Sequence, residues 1–442
     1  MTPYWSRTME TLPREQLAAL QLNKLKVQLA HAYAGSPFYR GLMDRAGLDP
    51  ASLGGLGDYF ARFPIVERHE LIAAEQAAPP YGTLAATPAR FAVARHQTSG
   101  SSGQPPFRSF DTARDWAWLT DRFALGLYAL GVRPGDQVAV AFGYGLFLGF
   151  WAAHYGLQRL GAVPISTGSF DSEQRIQLLA AGGVRAFVCT PTYALRLAHV
   201  AHEIGVDLAR DTDVRLVITS GEGRPPATRR AIEAAWGAHC GEVAGMTEAG
   251  FIMFECGPGS KGLHIIESDF IEEVLDPETR EPVGYGERGV RVLTSLGRES
   301  IPMLRYWTSD LVVRRPASDC GCGRTWDFYE GGILGRSDDV HKVRGCLVTP
   351  GMIEDVVRSF GEVDEFRTVI DTVDALDTVL ITIEPRTGSA PPADLTTRVQ
   401  EAIKRAVGVR PTITLAEPGA LPRFEMKANR FHDARQARAS VG

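Results

Sequence analysis

Three features of the sequence predict an α/β protein with a large N-terminal part and a small C-terminal α+β part. Between Gln137 and Ser220, short apolar runs alternate with amphipathic helical patterns, the cadence of a mainly parallel sheet flanked by helices. Beyond Glu267 the texture shifts to shorter, turn-rich strand patterns, notably around residues 282–289, which predicts a β-rich subdomain. A polar, glycine-led stretch, Gly335-Arg-Ser-Asp-Asp339, then precedes a unit of about 100 residues that mixes strands and a helix. The expected domains are residues 1–336 and 337–442.

Taken in order, the chain begins with a helical pattern over 13–47 carrying Leu17, Leu20, Leu25 and Val27, broken at Ser36-Pro37 and resumed through Phe38, Tyr39 and Met43. Glycine and proline punctuate a loop-rich stretch up to Arg95. An amphipathic helix is expected over 111–130, followed by a strand at 137–142, a helix at 146–160 and a strand at 162–166. The alternation continues with a helix at 171–181, a strand at 186–190, a helix at 192–204 and a strand at 216–220. In parallel sheets ligands bind beyond the carboxyl ends of the strands. The exits Ile165-Ser-Thr-Gly-Ser169 and Thr219-Ser-Gly-Glu-Gly223 lie at such ends. The small unit is expected to hold strands at 366–370, 379–384 and 412–415 and a helix at 393–407.

Composition narrows the function. With 442 residues, 44% hydrophobic and 22% charged, the chain has material for two or three cores. A net charge of -5 with both signs dispersed excludes a nucleic-acid face. The most apolar window, Leu146 to Ala153, is too short to span a bilayer, and the first ten residues lack a signal-peptide pattern. A cytoplasmic location is therefore expected. Six cysteines are too few for a disulfide scaffold in a chain of this length, so their spacing carries more than their number. Cys256, His264, Cys320 and Cys322 supply one imidazole and three thiols, a donor set typical of structural zinc.

The stretch His96 to Pro106 interleaves the hydroxyls of Thr98, Ser99, Ser101 and Ser102 with Gly100 and Gly103. Such a loop can turn backbone N–H groups and hydroxyls inward onto a polyphosphate, although on its own it also fits a flexible loop. Other segments join it in order. Thr98 to Pro105 resembles the phosphate loop of the adenylate-forming superfamily of acyl-CoA synthetases, luciferases and adenylation domains, and Ala244-Gly-Met-Thr-Glu248 resembles its aromatic-Gly-x-Thr-Glu motif. The segment 304–310 resembles the one ending in the ribose-binding aspartate, 335–339 with Gly345 resembles the hinge, and 423–430 resembles the segment bearing the catalytic lysine. Within the superfamily the resemblance is strongest to phenylacetate-CoA ligase and related aryl-CoA ligases, through residues 36–39, 143–147, 154–156, 159–161, 262–264, Arg344 and Pro350.

The resemblance implies a mobile small domain and an ATP-dependent, AMP-forming ligase that joins an aryl acid to CoA. It assigns Lys427 to bridge carboxylate and α-phosphate, Glu248 to hold Mg²⁺ and Thr247 to donate to phosphate. Repulsion between a carboxylate and a polyphosphate is what makes a metal and a cation necessary. Asp310 is expected on the ribose hydroxyls, Ser220, Gly221, Glu222, Gly223, Ala244, Gly245 and Met246 on the nucleotide, and Arg336 on phosphate or ribose oxygens. Asp338 is the expected hinge, with Gly345 meeting the CoA thiol. The acyl pocket is expected among Tyr144, Phe147, Ser166, Thr167, Gly168 and Gly245. Two positions depart from the family pattern. Gln104 replaces the usual lysine, and Ala244 replaces the aromatic residue stacked on adenine. A carrier-protein thiol or an amine or hydroxyl acceptor remains an alternative to CoA, a non-catalytic sensor of nucleotide or aryl acid remains a second alternative, and association as a homodimer stays open.

Overall fold

The computed structural model describes residues 3–98, 105–373, 376–386, 391–424 and 428–435. The chain forms two compact units, one built from Met1–Phe170, Gly183–Val188 and Gly241–Ile333, the other from Asp171–Gly182, Cys189–Cys240 and Leu334–Gly442.

In the first unit, a long helix Arg14–Gly35 buries Leu17, Gln21, Leu25, Gln28, Leu29 and Ala32, which recur at helical spacing. Its two buried glutamines are satisfied by backbone. Gln21 donates to the carbonyls of Glu267 and Phe270 at 2.8 and 3.0 Å, and Gln28 to that of Arg298 at 2.6 Å. Ser36 ends this helix and caps the next, Pro37–Arg45, by accepting from the Tyr39 N–H.

The stretch up to Arg95, expected to be loop-rich, contains two helices, Leu56–Arg62 and Arg68–Gln76. The second starts with a capping box made by Glu67 and Glu70, a pair of acids in place of the usual Ser or Thr leader. The expected helix at 111–130 also starts later. Arg108–Thr112 is a strand paired with Ala92–Gln97, and the helix Ala113–Ala129 begins after Thr112, whose hydroxyl and the Asp115 carboxylate cap it reciprocally. The strand claims Asp111, and a capping box sets the boundary.

Strand Gln137–Val140 pairs in parallel with Val163–Ser166 on one side and Val184–Cys189 on the other, as the α/β cadence predicts. From Gly241 onward the same unit is antiparallel. His239–Met246 pairs with Gly250–Phe254, which pairs with Gly262–Ile265; then Phe328–Glu330, Tyr306–Arg315, Arg288–Ser295 and Phe270–Leu275 follow in spatial order. Burial along Gly250–Phe254 and Gly262–Ile265 is complete, and the first of these reads as a continuous apolar run.

The second unit contains the fully buried strand Leu216–Thr219 and helices Ser172–Ala180, Pro191–Glu203 and Pro226–Trp236. It also holds a four-stranded mixed sheet in the order Thr412–Leu415, Leu376–Pro385, Val363–Val373, Phe431–Asp433. Val357, Ile370, Ile381, Ile383, Val399 and Ile403 share the apolar core beneath that sheet with helices Pro350–Arg358 and Leu395–Val407. The helix Pro350–Arg358 and the edge strand Phe431–Asp433 have no counterpart in the sequence-based expectation. Three residues in a parallel edge are too few for a period to show.

Candidate active site

The Gly-Met-Thr-Glu segment closes a tight connection between strands His239–Met246 and Gly250–Phe254. A Cβ on Gly245 would lie 2.4 Å from the Gly250 carbonyl oxygen, so the first glycine is dictated by close backbone approach. Thr247 and Glu248 are held from behind. Arg298 donates to their carbonyl oxygens at 2.7 and 2.9 Å. Arg298 is itself neutralised by Asp111, through Nε at 2.8 Å and Nη2 at 3.0 Å. Glu248 is 5% exposed, and its carboxylate is bound by the Arg68 guanidinium. The second arm of Arg68 reaches the Thr98 hydroxyl at 3.2 Å.

Thr98 forms the base of the glycine–serine loop. Its N–H donates to the Phe107 carbonyl and its Oγ1 accepts from the Phe107 N–H, both at 2.9 Å, so the loop leaves and returns through a closed neck. One residue earlier, Gln97 donates to the Leu146 carbonyl at 2.9 Å, which ties that neck to the segment expected to line the acyl pocket. Ser99, Gly100, Ser101, Ser102, Gly103, Gln104 and Lys427 lie outside the described residues.

Asp310 is presented by a bulge. Between the pairs Val290–Leu311 and Val292–Trp307 the strand Tyr306–Arg315 carries extra residues, and Ser309 turns with φ of 64°. Asp310 is 6% exposed, with its N–H donating to the Thr308 hydroxyl at 3.1 Å. Arg291 binds one of its oxygens at 3.1 Å and Glu272 through Nε at 2.9 Å, while Glu272 accepts from Tyr329 Oη at 2.5 Å. A carboxylate facing a buried guanidinium is suited to accept from a diol.

In the expected acyl pocket, Ser166 Oγ donates to Tyr144 Oη at 2.8 Å, and Tyr144 Oη lies 3.0 Å from His154 Nδ1. Burial raises the Tyr144 pKa and lowers that of His154, so both groups are neutral and free to share protons with a polar substituent. A Cβ on Gly168 would approach the Phe142 oxygen at 3.0 Å and Tyr144 Cδ2 at 3.1 Å, so glycine keeps the Tyr144 ring close. Thr167 instead points back to the Val140 carbonyl at 3.0 Å. Phe147 packs edge-on against Phe150, which stacks on Phe142 at 3.9 Å between centroids.

The remaining motif residues belong to the second unit. Glu222 accepts from the N–H of Thr192 at 3.2 Å and from that of Ala428, the residue following Lys427. Ser220 donates its N–H to Cys189, and Gly221 takes φ of 89°. Arg336 and Asp338 form a two-point ion pair at 2.8 and 2.6 Å, both well exposed. Arg344 and Gly345 turn the hairpin between His341–Val343 and Cys346–Val348, with φ of 48° and 83°.

Cys256, His264, Cys320 and Cys322 converge in the first unit, with their ligand atoms within 4.8 Å of one another. His264 Nε2 lies 3.1 Å from Cys320 Sγ and 3.4 Å from Cys322 Sγ, and Cys256 and Cys320 sulfurs are 3.5 Å apart. Nδ1 of His264 is 2.9 Å from the Trp326 carbonyl, which fixes the ring with Nε2 directed at the sulfurs. Gly321 and Gly323 take φ of 78° and 82°, the knuckle that brings two cysteines two positions apart onto one point.

The chain is 34% identical over 440 residues to a phenylacetate-coenzyme A ligase of Thermus thermophilus, covering 94% of this chain and 96% of the relative. The chain belongs to the phenylacetate-CoA ligase family. Residues 345–435 match the AMP-binding enzyme C-terminal domain family. Among solved structures, a 2-hydroxyisobutyryl-CoA ligase in a post-adenylation state with an acyl-AMP superposes with a TM-score of 0.92 at 30% identity, covering 100% of this chain and 94% of that one. The same ligase with CoA in a thioesterification state superposes with a TM-score of 0.73, covering 100% of this chain and 95% of that one. The protein is therefore an AMP-forming acid–thiol ligase that uses ATP and CoA. Among the described residues no helix is long and apolar enough to cross a membrane.

Arg68, Arg298, Asp111 and Arg291 were not among the motif positions. Arg291 had a visible signal, a charge inside the apolar strand Val290-Arg-Val292. Arg68 and Arg298 had none, because each belongs to the site through contacts distant in sequence.

Proposed function

We propose that this phenylacetate-CoA ligase homologue activates an aromatic carboxylate, benzoate-, aminobenzoate- or phenylacetate-like, as its acyl-AMP with release of pyrophosphate and then transfers the acyl group to the CoA thiol. The observation that carries this reading is the buried Glu248 carboxylate, whose backbone carbonyl is held by Arg298 and whose side chain is linked to Thr98 through the Arg68 guanidinium. A carboxylate that already holds a cation is a fit place for Mg²⁺, which would supply charge neutralisation for the phosphates. Thr98, Thr247 and the loop residues Ser99 to Gly103 would donate to phosphate, and Asp310 would accept from the ribose. Lys427 would bridge the two anions during adenylation, and rotation at Asp338 would then bring the Gly345 turn to the thiol.

The aromatic surroundings of Tyr144 and Phe147 support an aryl acid, and the Ser166–Tyr144–His154 chain favours one with a hydrogen-bonding substituent. The Cys256, His264, Cys320, Cys322 set would hold a structural Zn²⁺, with no coordination position left for chemistry.

The test is pyrophosphate release from ATP and Mg²⁺ across a panel of aryl and hydroxy acids, with and without CoA, for the wild type and Lys427→Ala. Multiple-turnover release that needs an aryl acid, CoA and Lys427 is the expected result. A burst of one equivalent that CoA does not convert to turnover points to a carrier-protein, amine or hydroxyl acceptor. No release with any acid leaves a sensor.

A further inference from the structure

Arg68 is a guanidinium that no motif position accounts for. It occupies the first position of the helix Arg68–Gln76, where a positive charge opposes the helix dipole and an acid would be the favoured residue. Its backbone is nonetheless held there firmly. The capping box of Glu67 and Glu70 sets the start of the helix. Just before it, the Val66 N–H donates to the Arg305 carbonyl, and the Val66 carbonyl accepts from the Trp307 N–H, both at 2.9 Å. Those residues lead into the strand that carries Asp310. The side chain is about one-quarter exposed, with one arm on Glu248 and the other 3.2 Å from the Thr98 hydroxyl. A guanidinium stays protonated throughout the physiological pH range, so the charge is permanent. One cation thus joins the segments expected to hold metal, phosphate and ribose.

A carboxylate as buried as Glu248 needs a counter-charge whenever the site is empty. A divalent cation on Glu248 would lie beside the guanidinium already bonded to Oε1, and two cations so close repel. Metal binding therefore favours moving Arg68 off Glu248, and the polyphosphate that arrives with the metal is an anion the freed guanidinium can bind. The chain has glutamine at position 104, so the loop brings no lysine of its own at that point.

We propose that Arg68 is the resident counter-ion of the empty nucleotide site, holding Glu248 until metal and ATP enter and then binding the β- and γ-phosphates and the departing pyrophosphate. This rests on the adenylation reading above. It predicts that Arg68 discourages metal from binding without nucleotide and favours pyrophosphate.

Both effects are measurable without turnover, on the full chain. Mn²⁺ binding to nucleotide-free protein, read by electron paramagnetic resonance, and inorganic pyrophosphate binding in EDTA, read by calorimetry, are compared for wild type, Arg68→Gln and Arg68→Lys. Arg68→Gln is expected to bind Mn²⁺ about tenfold more tightly and pyrophosphate about tenfold more weakly. Arg68→Lys is expected to stay within about threefold of wild type for both. Opposite shifts cannot come from a damaged fold, which weakens both ligands. No shift in Arg68→Gln, or shifts in the same direction while Arg68→Lys behaves as wild type, overturns the proposal. If the opposite shifts appear in a protein that makes no acyl-AMP from any acid, the adenylation reading fails and the counter-ion role stands. Normal acyl-AMP synthesis with unmoved affinities is the reverse outcome.

Discussion

Arg298 and Asp111 form a two-point ion pair with neither side chain exposed to solvent, and the remaining Arg298 nitrogen carries the carbonyls of Thr247 and Glu248. Removing one partner strands a buried charge and should cost about 3 to 5 kcal/mol. Replacing both, as Asp111→Leu with Arg298→Met, should recover much of that loss, because paired apolar side chains need no counter-charge. Acyl-AMP formation should not recover with it, since the double variant leaves the Thr247–Glu248 turn without its donor. Urea unfolding alongside a pyrophosphate-release assay separates the two. Recovery of both would reduce the pair to a stability element.

His96 is packed beside that pair. It is 3% exposed and stacks on Trp116 with centroids 5.4 Å apart. Burial, and then the Arg298 charge, push its pKa down to about 4 from 6.5. The folded state therefore resists the proton more than the unfolded chain does. Its contribution is fully present above pH 6.5 and is lost as pH falls towards 4, a difference of about 3 kcal/mol at most. His96→Phe should flatten the pH dependence of unfolding free energy across that window and leave it unchanged above pH 7. An unaltered slope would mean that other groups set the acid limit.

Three edges of the thiol–imidazole cluster, 3.1, 3.4 and 3.5 Å, are near those of a metal tetrahedron. Zn–S bonds of about 2.3 Å imply sulfur–sulfur edges of about 3.8 Å, close to the 3.5 Å between Cys256 and Cys320. Protein purified without chelator should carry stoichiometric zinc. Stripping the metal, or Cys320→Ser, should lower the melting temperature while leaving the acid specificity of the folded fraction intact. Zinc content by mass spectrometry and calorimetric melting check this. A metal-free protein with the same melting temperature would leave the cluster as packed thiols.

The sequence carried the alternation of residues 137–220 because buried strands and capped helices leave a local period. The motif resemblance singled out Glu248 and Asp310, and the spacing of one histidine and three cysteines singled out the set that the structure brings together. What the sequence lacked were the supports. Arg298 meets Thr247 and Asp111 from 51 and 187 positions away, and Arg68 meets Glu248 from 180 away. Such pairings leave no period and no spacing. The helix Arg68–Gln76 was hidden for a local reason, since its cap uses two glutamates within a stretch rich in glycine and proline.

Glu222 ties the segment after Lys427 to the helix Pro191–Glu203, accepting from the N–H groups of Thr192 and Ala428. Two further contacts repeat the tie. Arg430 donates to the Thr192 hydroxyl at 3.1 Å while paired with Glu365, and Asp355 accepts from the Ala227 N–H at 3.0 Å, at the start of helix Pro226–Trp236. Asp355 lies four positions after Gly351 and is outside the motif segments, so it tests the tie without replacing a ligand group. If the small domain turns about Asp338 between the two half-reactions, these contacts form for adenylation and break for thioester formation. Asp355→Ala should then slow acyl-AMP formation about tenfold, the value of one hydrogen bond to a charged group. Thioester formation from synthetic acyl-AMP and CoA should stay within about twofold. Asp338→Pro should show the opposite bias, hurting the thiol step more. Equal loss of both half-reactions in Asp355→Ala, together with a lower melting temperature, would make the tie part of a fixed scaffold and remove the rotation from the mechanism.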